Sequence, residues 1–341
     1  MEIVEHKEIG DGAWDAFCDA SPEAWARHRS MTRKGTLVYD KRSEDHSFGV
    51  MHDGALVAVA PLITQPLLDS GGGLEFAFSI NTRPSDTHGL ATPAPALIDT
   101  LRDPERQALH ALCMDEIDKR ARRLGVARTR MFVDPLTGAV PGNTPAENPL
   151  TAFGYADTST TTYHIDLRCD EKVLLSRMSK GHRSDITFAL RQNYEVDFFD
   201  RDTITQEAWQ AFIDINDAAA GRVVYNAERW SETLERLRGG FCLLALMRPG
   251  GDGGHVSGAL VTTYKRRAYY SVSAIGPRHR GLRGAGQLIQ WRVMQELKRR
   301  GFECYDMGWQ TGSSDKEAAI ASFKRHFGGT PTPLWYGVKK Y

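Results

Sequence analysis

The strongest constraint on this chain is an order of elements that occurs twice. Residues 49–60 place His52-Asp53-Gly54 between two β-prone apolar runs, which predicts a β-hairpin. A second hairpin is predicted from the apolar run 241–247, the Pro/Gly-rich stretch 248–255 and the returning run 256–264. The Gly-Ala-Leu-Val of residues 54–57 recurs there at 258–261. Each hairpin is followed by an amphipathic helix ending in basic residues and a glycine, then by a strand ending in aspartate. In the first copy these are residues 104–123, Gly125 and 126–134; in the second they are 286–300, Gly301 and 302–306. Ala108, Leu109, Leu112, Ile117, Ala121 and Leu124 follow a helical period in the first helix, as do Leu288, Ile289, Val293 and Leu297 in the second. Basic residues in the last turns suit the negative end of a helix. The expectation is a duplicated α+β module, with residues 1–165 in one domain and 166–341 in the other.

The charge follows the same division. The 43 Lys+Arg balance 43 Asp+Glu overall, which excludes an indiscriminately basic nucleic-acid coat. Residues 1–160 nevertheless carry a net −7 and residues 161–341 a net +7, and 265–341 alone hold 15 basic against 5 acidic residues. That asymmetry suggests a polyanionic partner for the second half. The five cysteines are scattered, with no Cys-x-x-Cys pair, so neither a disulfide framework nor a zinc knuckle is expected. The acidic start Met-Glu-Ile-Val-Glu lacks the features of a signal peptide, and no apolar stretch approaches the ~20 residues of a membrane span. A cytoplasmic location without stable membrane insertion is expected.

Two segments concentrate cations. Around Gly181, the sequence predicts a short helix capped by Asp170, a break, and a second helix starting at Ser184 or Asp185. Lys180, His182 and Arg183 then lie at the junction, placed for a phosphate or carboxylate. The run 278–286 (Arg-His-Arg-Gly-Leu-Arg-Gly-Ala-Gly) falls between a predicted strand, 268–275, and a helix starting near Gly286. A glycine-rich basic loop entering a helix suits phosphate, because close backbone approach meets outward-pointing amides. A dinucleotide fingerprint is not expected: the third glycine is missing and no parallel βαβ unit is read around the loop.

This loop resembles the coenzyme A pyrophosphate loop of the GNAT acetyltransferase superfamily, Arg/Gln-x-x-Gly-x-Gly/Ala. Gly284 and Gly286 fit; Gly281 stands where Arg or Gln is expected, with Arg280 one residue early. The chain also resembles the FemABX family of aminoacyl-tRNA-dependent transferases and its FemAB-like and BioF-like neighbours. The landmarks are Tyr269 to Ser273, Leu288 to Trp291, Lys298 to Gly301, Tyr305 to Gly308, and the run Ala-Ser-Phe-Lys-Arg-His-Phe-Gly-Gly at 321–329. Residues 177–186 and the Trp25-to-Arg29 spacing are similar as well. Phe-Lys-x-x-Phe-Gly is the most specific of these.

The resemblance implies two tandem GNAT-like domains with a groove between them, and transfer of an aminoacyl group from tRNA to an amine of a peptidoglycan precursor or its relatives. Aminoacyl-tRNA is then a co-substrate, and no further cofactor or metal is required. By position Lys324 is the cation expected to stabilise the developing oxyanion, with Tyr270 orienting and Asp306 holding the amine. Arg29 and Arg183 match cations that meet substrate phosphates, and Arg280, Arg283, Gly284 and Gly286 form the donor phosphate loop. His326 is a further candidate base, and Phe323 and Phe327 are packing residues around Lys324. The closeness of 278–286 to the coenzyme A pattern keeps acyl-CoA-dependent N-acyl transfer as an alternative. A non-catalytic nucleic-acid-binding protein is a third reading, weakened because aromatic residues do not interleave the basic ones. No long helical arm is expected, since residues 170–240 are interrupted at Gly181, Gly221 and Gly239.

Overall fold

A computed structural model describes residues 1–39, 41–67, 73–78, 91–137, 147–250, 253–279, 281–308 and 314–341. The chain forms two compact units, residues 1–160 with 333–341, and residues 161–332. The expected cut at 165/166 is thus shifted to 160/161, and the final residues return to the first unit.

The first unit contains a four-stranded antiparallel sheet in the order β1 (Glu2–Glu5), β3 (Phe48–His52), β4 (Ala55–Ala60), β8 (Ala96–Leu97). Asp53 and Gly54 join β3 to β4 with φ of 50° and 77°, the positive values that a two-residue hairpin turn demands. A second sheet runs β10 (Ala156–Asp157), β18 (Tyr336–Lys340), β9 (Val126–Phe132), β6 (Leu74–Phe76), β5 (Ile63–Pro66), β2 (Glu44–Asp45), with β7 (Thr92–Pro93) also on β9. Helices α1 (His6–Ala20) and α2 (Ser30–Tyr39) lie between β1 and β2 in the chain. Helix α3 (Asp103–Leu124) begins with Pro104 in its first turn and stops at Gly125, whose φ of 66° caps it. Its buried face is Leu109, Cys113, Ile117 and Ala121, at steps of four, and it packs with Phe48, Val50 and Met131 of the sheets.

The second unit is one seven-stranded sheet covered on both faces. Its order is β12 (Tyr194–Phe199), β13 (Cys242–Pro249), β14 (Ser257–Tyr264), β15 (Arg267–Ile275), β16 (Cys304–Asp306), β11 (Thr160–Asp166), β17 (Thr330–Leu334). Strand β13 shows why both faces are dry. Leu243, Ala245 and Met247 join a core with α4 (Glu171–Arg177), α5 (Lys180–Ala189) and α8 (Ala285–Arg299), whereas Cys242, Leu244 and Leu246 join one with α6 (Gln206–Ala220) and α7 (Ala227–Arg238). A period of two with apolar residues on both phases is the signature of a central strand. Helix α9 (Asp315–Arg325) starts at Ser314 through a reciprocal cap with Glu317.

The predicted echo has a structural counterpart. In each unit a hairpin precedes a strand, a helix and a parallel return strand: β6, α3, β9 in the first and β15, α8, β16 in the second. The expectation of no parallel βαβ unit around the glycine loop is therefore corrected, because the β15 strand read there pairs in parallel with the short β16 beyond the helix. The matching tetrapeptides lie in corresponding strands but for different reasons. Gly54 turns the hairpin, whereas Gly258 lies inside β14, where a Cβ would come within 2.7 Å of the Phe212 ring.

Candidate active site

The second unit contains a cleft of about 400 Å³ at the start of α8, lined by Tyr270, Ser273, Gly284, Gly286, Gln287 and Phe323 among others. Strands β15 and β16 are in parallel register from Arg267/Cys304 to Tyr269/Asp306; there β16 ends while β15 continues to Ile275. A register shift between β14 and β15 leaves Ser271 as an extra residue beside Tyr270, bending the strand at the same level. The opening in the sheet and the first turn of α8 therefore meet at one place.

Lys324, Tyr270 and Asp306 are brought together. The Lys324 ammonium sits 4.9 Å from the centre of the Tyr270 ring. It is partly buried, and burial pushes its pKa down to about 8 against the opposing pull of Asp306. Gly308, with φ of 75°, makes room for it: a Cβ there would lie 3.1 Å from Lys324 Nζ and 3.2 Å from the Tyr269 hydroxyl. Burial raises the Tyr270 phenol.

Asp306 is held by groups on its own sheet. Its carboxylate is buried, accepting the Thr162 hydroxyl and, at 2.7 Å, the Gly308 amide. His164 Nε2 lies 3.7 Å from the other oxygen. Burial works against Asp306 ionisation, but His164, Thr162 and Gly308 together hold its pKa below the ordinary value. Burial alone would likewise strip the His164 imidazole of its proton; Asp306 and Cys304 more than offset this and raise its pKa to about 10. Thr162 and His164 were not singled out from sequence. The alternation of Thr160–Asp166 puts them on one face, but only the pairing of β11 with β16 sets His164 opposite Asp306.

The two most distinctive sequence segments are locked to one another. Helix α5 is capped by Ser179, whose amide donates to the His326 carbonyl and whose hydroxyl accepts from His182 N. The His182 ring bonds the Phe323 carbonyl at 3.0 Å and meets Phe327 edge-on, and Phe327 is fully buried. Residues 179–182 thereby fix the end of α9 that carries Lys324. The expected break at Gly181 is corrected: α4 ends at Arg177, and Lys180, His182 and Arg183 belong to the first turn of α5 because Ser179 is the better cap. His326 is exposed at the end of α9.

Three of the expected phosphate cations, Arg29, Arg183 and Arg283, have partners within their own unit. Arg183 donates to the Ser176 and Met178 carbonyls at the end of α4. Arg29, in the first unit, is bound by Asp15 and Asp19. Arg283 lines the cleft, but its Nε donates to Asp185 at 2.9 Å and its guanidinium stacks on Phe188. Arg280 lies outside the described residues. Gly284 caps α8 with φ of 76° and approaches α5 closely; a Cβ would be 2.3 Å from the Asp185 carbonyl oxygen. Gly286 lies beside Phe323. Among the described residues no cluster of three or more His, Cys, Asp or Glu is arranged for a metal, and no helix is long and apolar enough to cross a membrane.

Comparison with known proteins bears on the fold. Residues 180–325 match the family model of the acetyltransferase (GNAT) domain. No curated protein matches the chain in sequence. Among solved structures, FemX superposes with a TM-score of 0.69 at 15% identity, over 98% of this chain and 97% of its own. A tandem GNAT protein from the clavulanic acid biosynthesis pathway gives 0.55 at 14% identity, over 99% and 98%. The C-terminal domain of a putative lysylphosphatidylglycerol synthetase from Agrobacterium fabrum gives 0.58 at 12%, over 91% and 88%. Residues 180–325 thus carry a GNAT acetyltransferase domain, and the chain as a whole shares its fold with these structures. The fold is FemX-like, with two GNAT-like domains in tandem.

Proposed function

We propose that the protein transfers an aminoacyl group from aminoacyl-tRNA to an amine of a peptidoglycan precursor or of a specialised peptide or nucleoside metabolite, acting in the cytoplasm. The observation that carries this is the Lys324 ammonium, held over Tyr270 beside the cleft by the one segment most specific to the FemABX resemblance. In such a transfer the amine nitrogen bonds to the ester carbonyl carbon, the bond to the ribose oxygen breaks, and the amine's proton is lost while the ribose oxygen gains one. A positioned ammonium near neutral pH offsets the oxyanion charge and supplies a proton to the leaving oxygen, so the reaction needs neither a Ser or Cys nucleophile nor a metal.

A second reading, acyl-CoA-dependent N-acyl transfer, is favoured by the β15–α8–β16 crossover, which presents glycine-loop amides at the helix start. The test is to incubate the protein with a pool of labelled aminoacyl-tRNAs, and separately with labelled acetyl-CoA, each beside candidate amines. Consumption of charged tRNA, abolished by Lys324→Ala, is expected. Consumption of acetyl-CoA alone would replace the first reading by the second, and turnover by Lys324→Ala at the wild-type rate would remove the lysine from the mechanism.

A further inference from the structure

We infer that His164 is a positioning residue, anchoring the Asp306 carboxylate and through it the Lys324 ammonium beside the cleft. It is not one of the residues that the family resemblance supplies, and it lies on β11, far in sequence from the glycine loop and from α9.

The geometry leaves His164 one obvious role. Asp306 and His164 are paired across β16 and β11, so their side chains share a face, and Thr162 shares it two residues earlier. Thr162 Oγ1 and the Gly308 amide both bond Asp306 Oδ1, which leaves Oδ2 toward His164. The His164 side chain is nine-tenths buried, and its Nε2 has no hydrogen-bond partner among the described residues; the carboxylate 3.7 Å away is the anion it faces. The other titratable groups around the pair are Cys304 and Tyr305 on β16, Asp166 on its own strand, and Tyr269 and Tyr270 on β15. Lys324 stands on α9, and β17 brings none. A buried carboxylate serving a buried ammonium gains from a second cation. The imidazolium helps keep the buried Asp306 carboxylate ionised and in place; without it the carboxylate takes up a proton or turns away, and Lys324 loses the anion that favours its charge.

The inference rests on Lys324 being the cation of the proposed transfer, but its test does not require turnover. The probe is 1-fluoro-2,4-dinitrobenzene, which reacts with the free amine, with labelling of Lys324 followed by mass spectrometry from pH 6 to 10. In the wild type the labelling midpoint is expected near pH 8. In His164→Leu the midpoint is expected to fall by roughly one unit, giving about five-fold more labelling at pH 7, in the same direction as Asp306→Asn. His164→Gln, which keeps a donor at the same reach, is expected to fall between the two. Circular dichroism and the labelling of the exposed Lys316 as an internal reference show that each variant is folded. An unchanged or raised midpoint in folded His164→Leu and His164→Gln overturns the inference. If the midpoint falls while Lys324→Ala still turns over, His164 keeps its positioning role and the catalytic reading of Lys324 is what fails.

Discussion

Replacing Lys324 by methionine is expected to stabilise the protein at neutral pH while abolishing transfer. The depression of the lysine from its ordinary 10.5 to about 8 reflects the cost of holding a charge in a partly buried site. At about 1.4 kcal/mol per pH unit this is roughly 3 kcal/mol. The stacking on Tyr270 returns ~0.5–2 kcal/mol that methionine forfeits, so the net gain is about 1–3 kcal/mol. Its pH dependence has a definite sign. Between about 8 and 10.5 the unfolded chain holds the lysine proton and the folded one does not, so wild-type stability from this group rises with pH across that window. The advantage of Lys324→Met is therefore full below pH 8 and gone above about 10.5. Urea unfolding of the full chain at pH 7 and pH 10.5 measures it; with a slope near 3 kcal/mol/M, the midpoint moves up by roughly 0.3–1 M at pH 7. A variant that is less stable at pH 7, or equally displaced at both pH values, would refute the account of Lys324 as a charge held at a cost.

Other perturbations probe neighbouring parts of the site. Gly308→Ala combines a positive φ with a Cβ 3.1 Å from Lys324 Nζ; a loss of about 1–2 kcal/mol in unfolding free energy and at least a ten-fold drop in transfer are expected, and wild-type values for both would count against the cradle. Asp185→Asn releases Arg283 from an exposed pair, so stability should change by less than about 1 kcal/mol while calorimetry shows several-fold tighter binding of inorganic pyrophosphate. Weaker binding in that variant would mean that the carboxylate does not compete for the loop.

Much of the architecture is readable in the sequence because it depends on local rules. The Asp53-Gly54 turn, the Pro104 start and Gly125 stop of α3, and the end of α6 at Gly221 are each set by chemistry within a few residues. The site is less readable, because its contacts cross large sequence distances. Nothing near Thr162 or His164 announces Asp306, more than 140 residues away; the link exists only once β11 lies beside β16. The cations show the same limit. Residue type marks Arg183 and Arg283 as anion binders, while their partners within the chain, the α4 carbonyls and Asp185, are fixed by how helices pack. The glycine loop was read without its parallel return because β16 is three residues long, too short for periodicity to show its direction.

The return of residues 333–341 to the first unit has a consequence for how the molecule is made. Strand β18 covers an edge of β9, and residues 161–332 must be synthesised before it emerges. At ~5–20 residues per second that interval is about 10–30 s. Throughout it, nascent β9 offers an open row of amides and carbonyls to any other strand nearby. A ribosome-bound chain thus passes through a stage in which its first domain lacks its last strand, and a fusion or truncation at the carboxyl end acts on the amino-terminal fold.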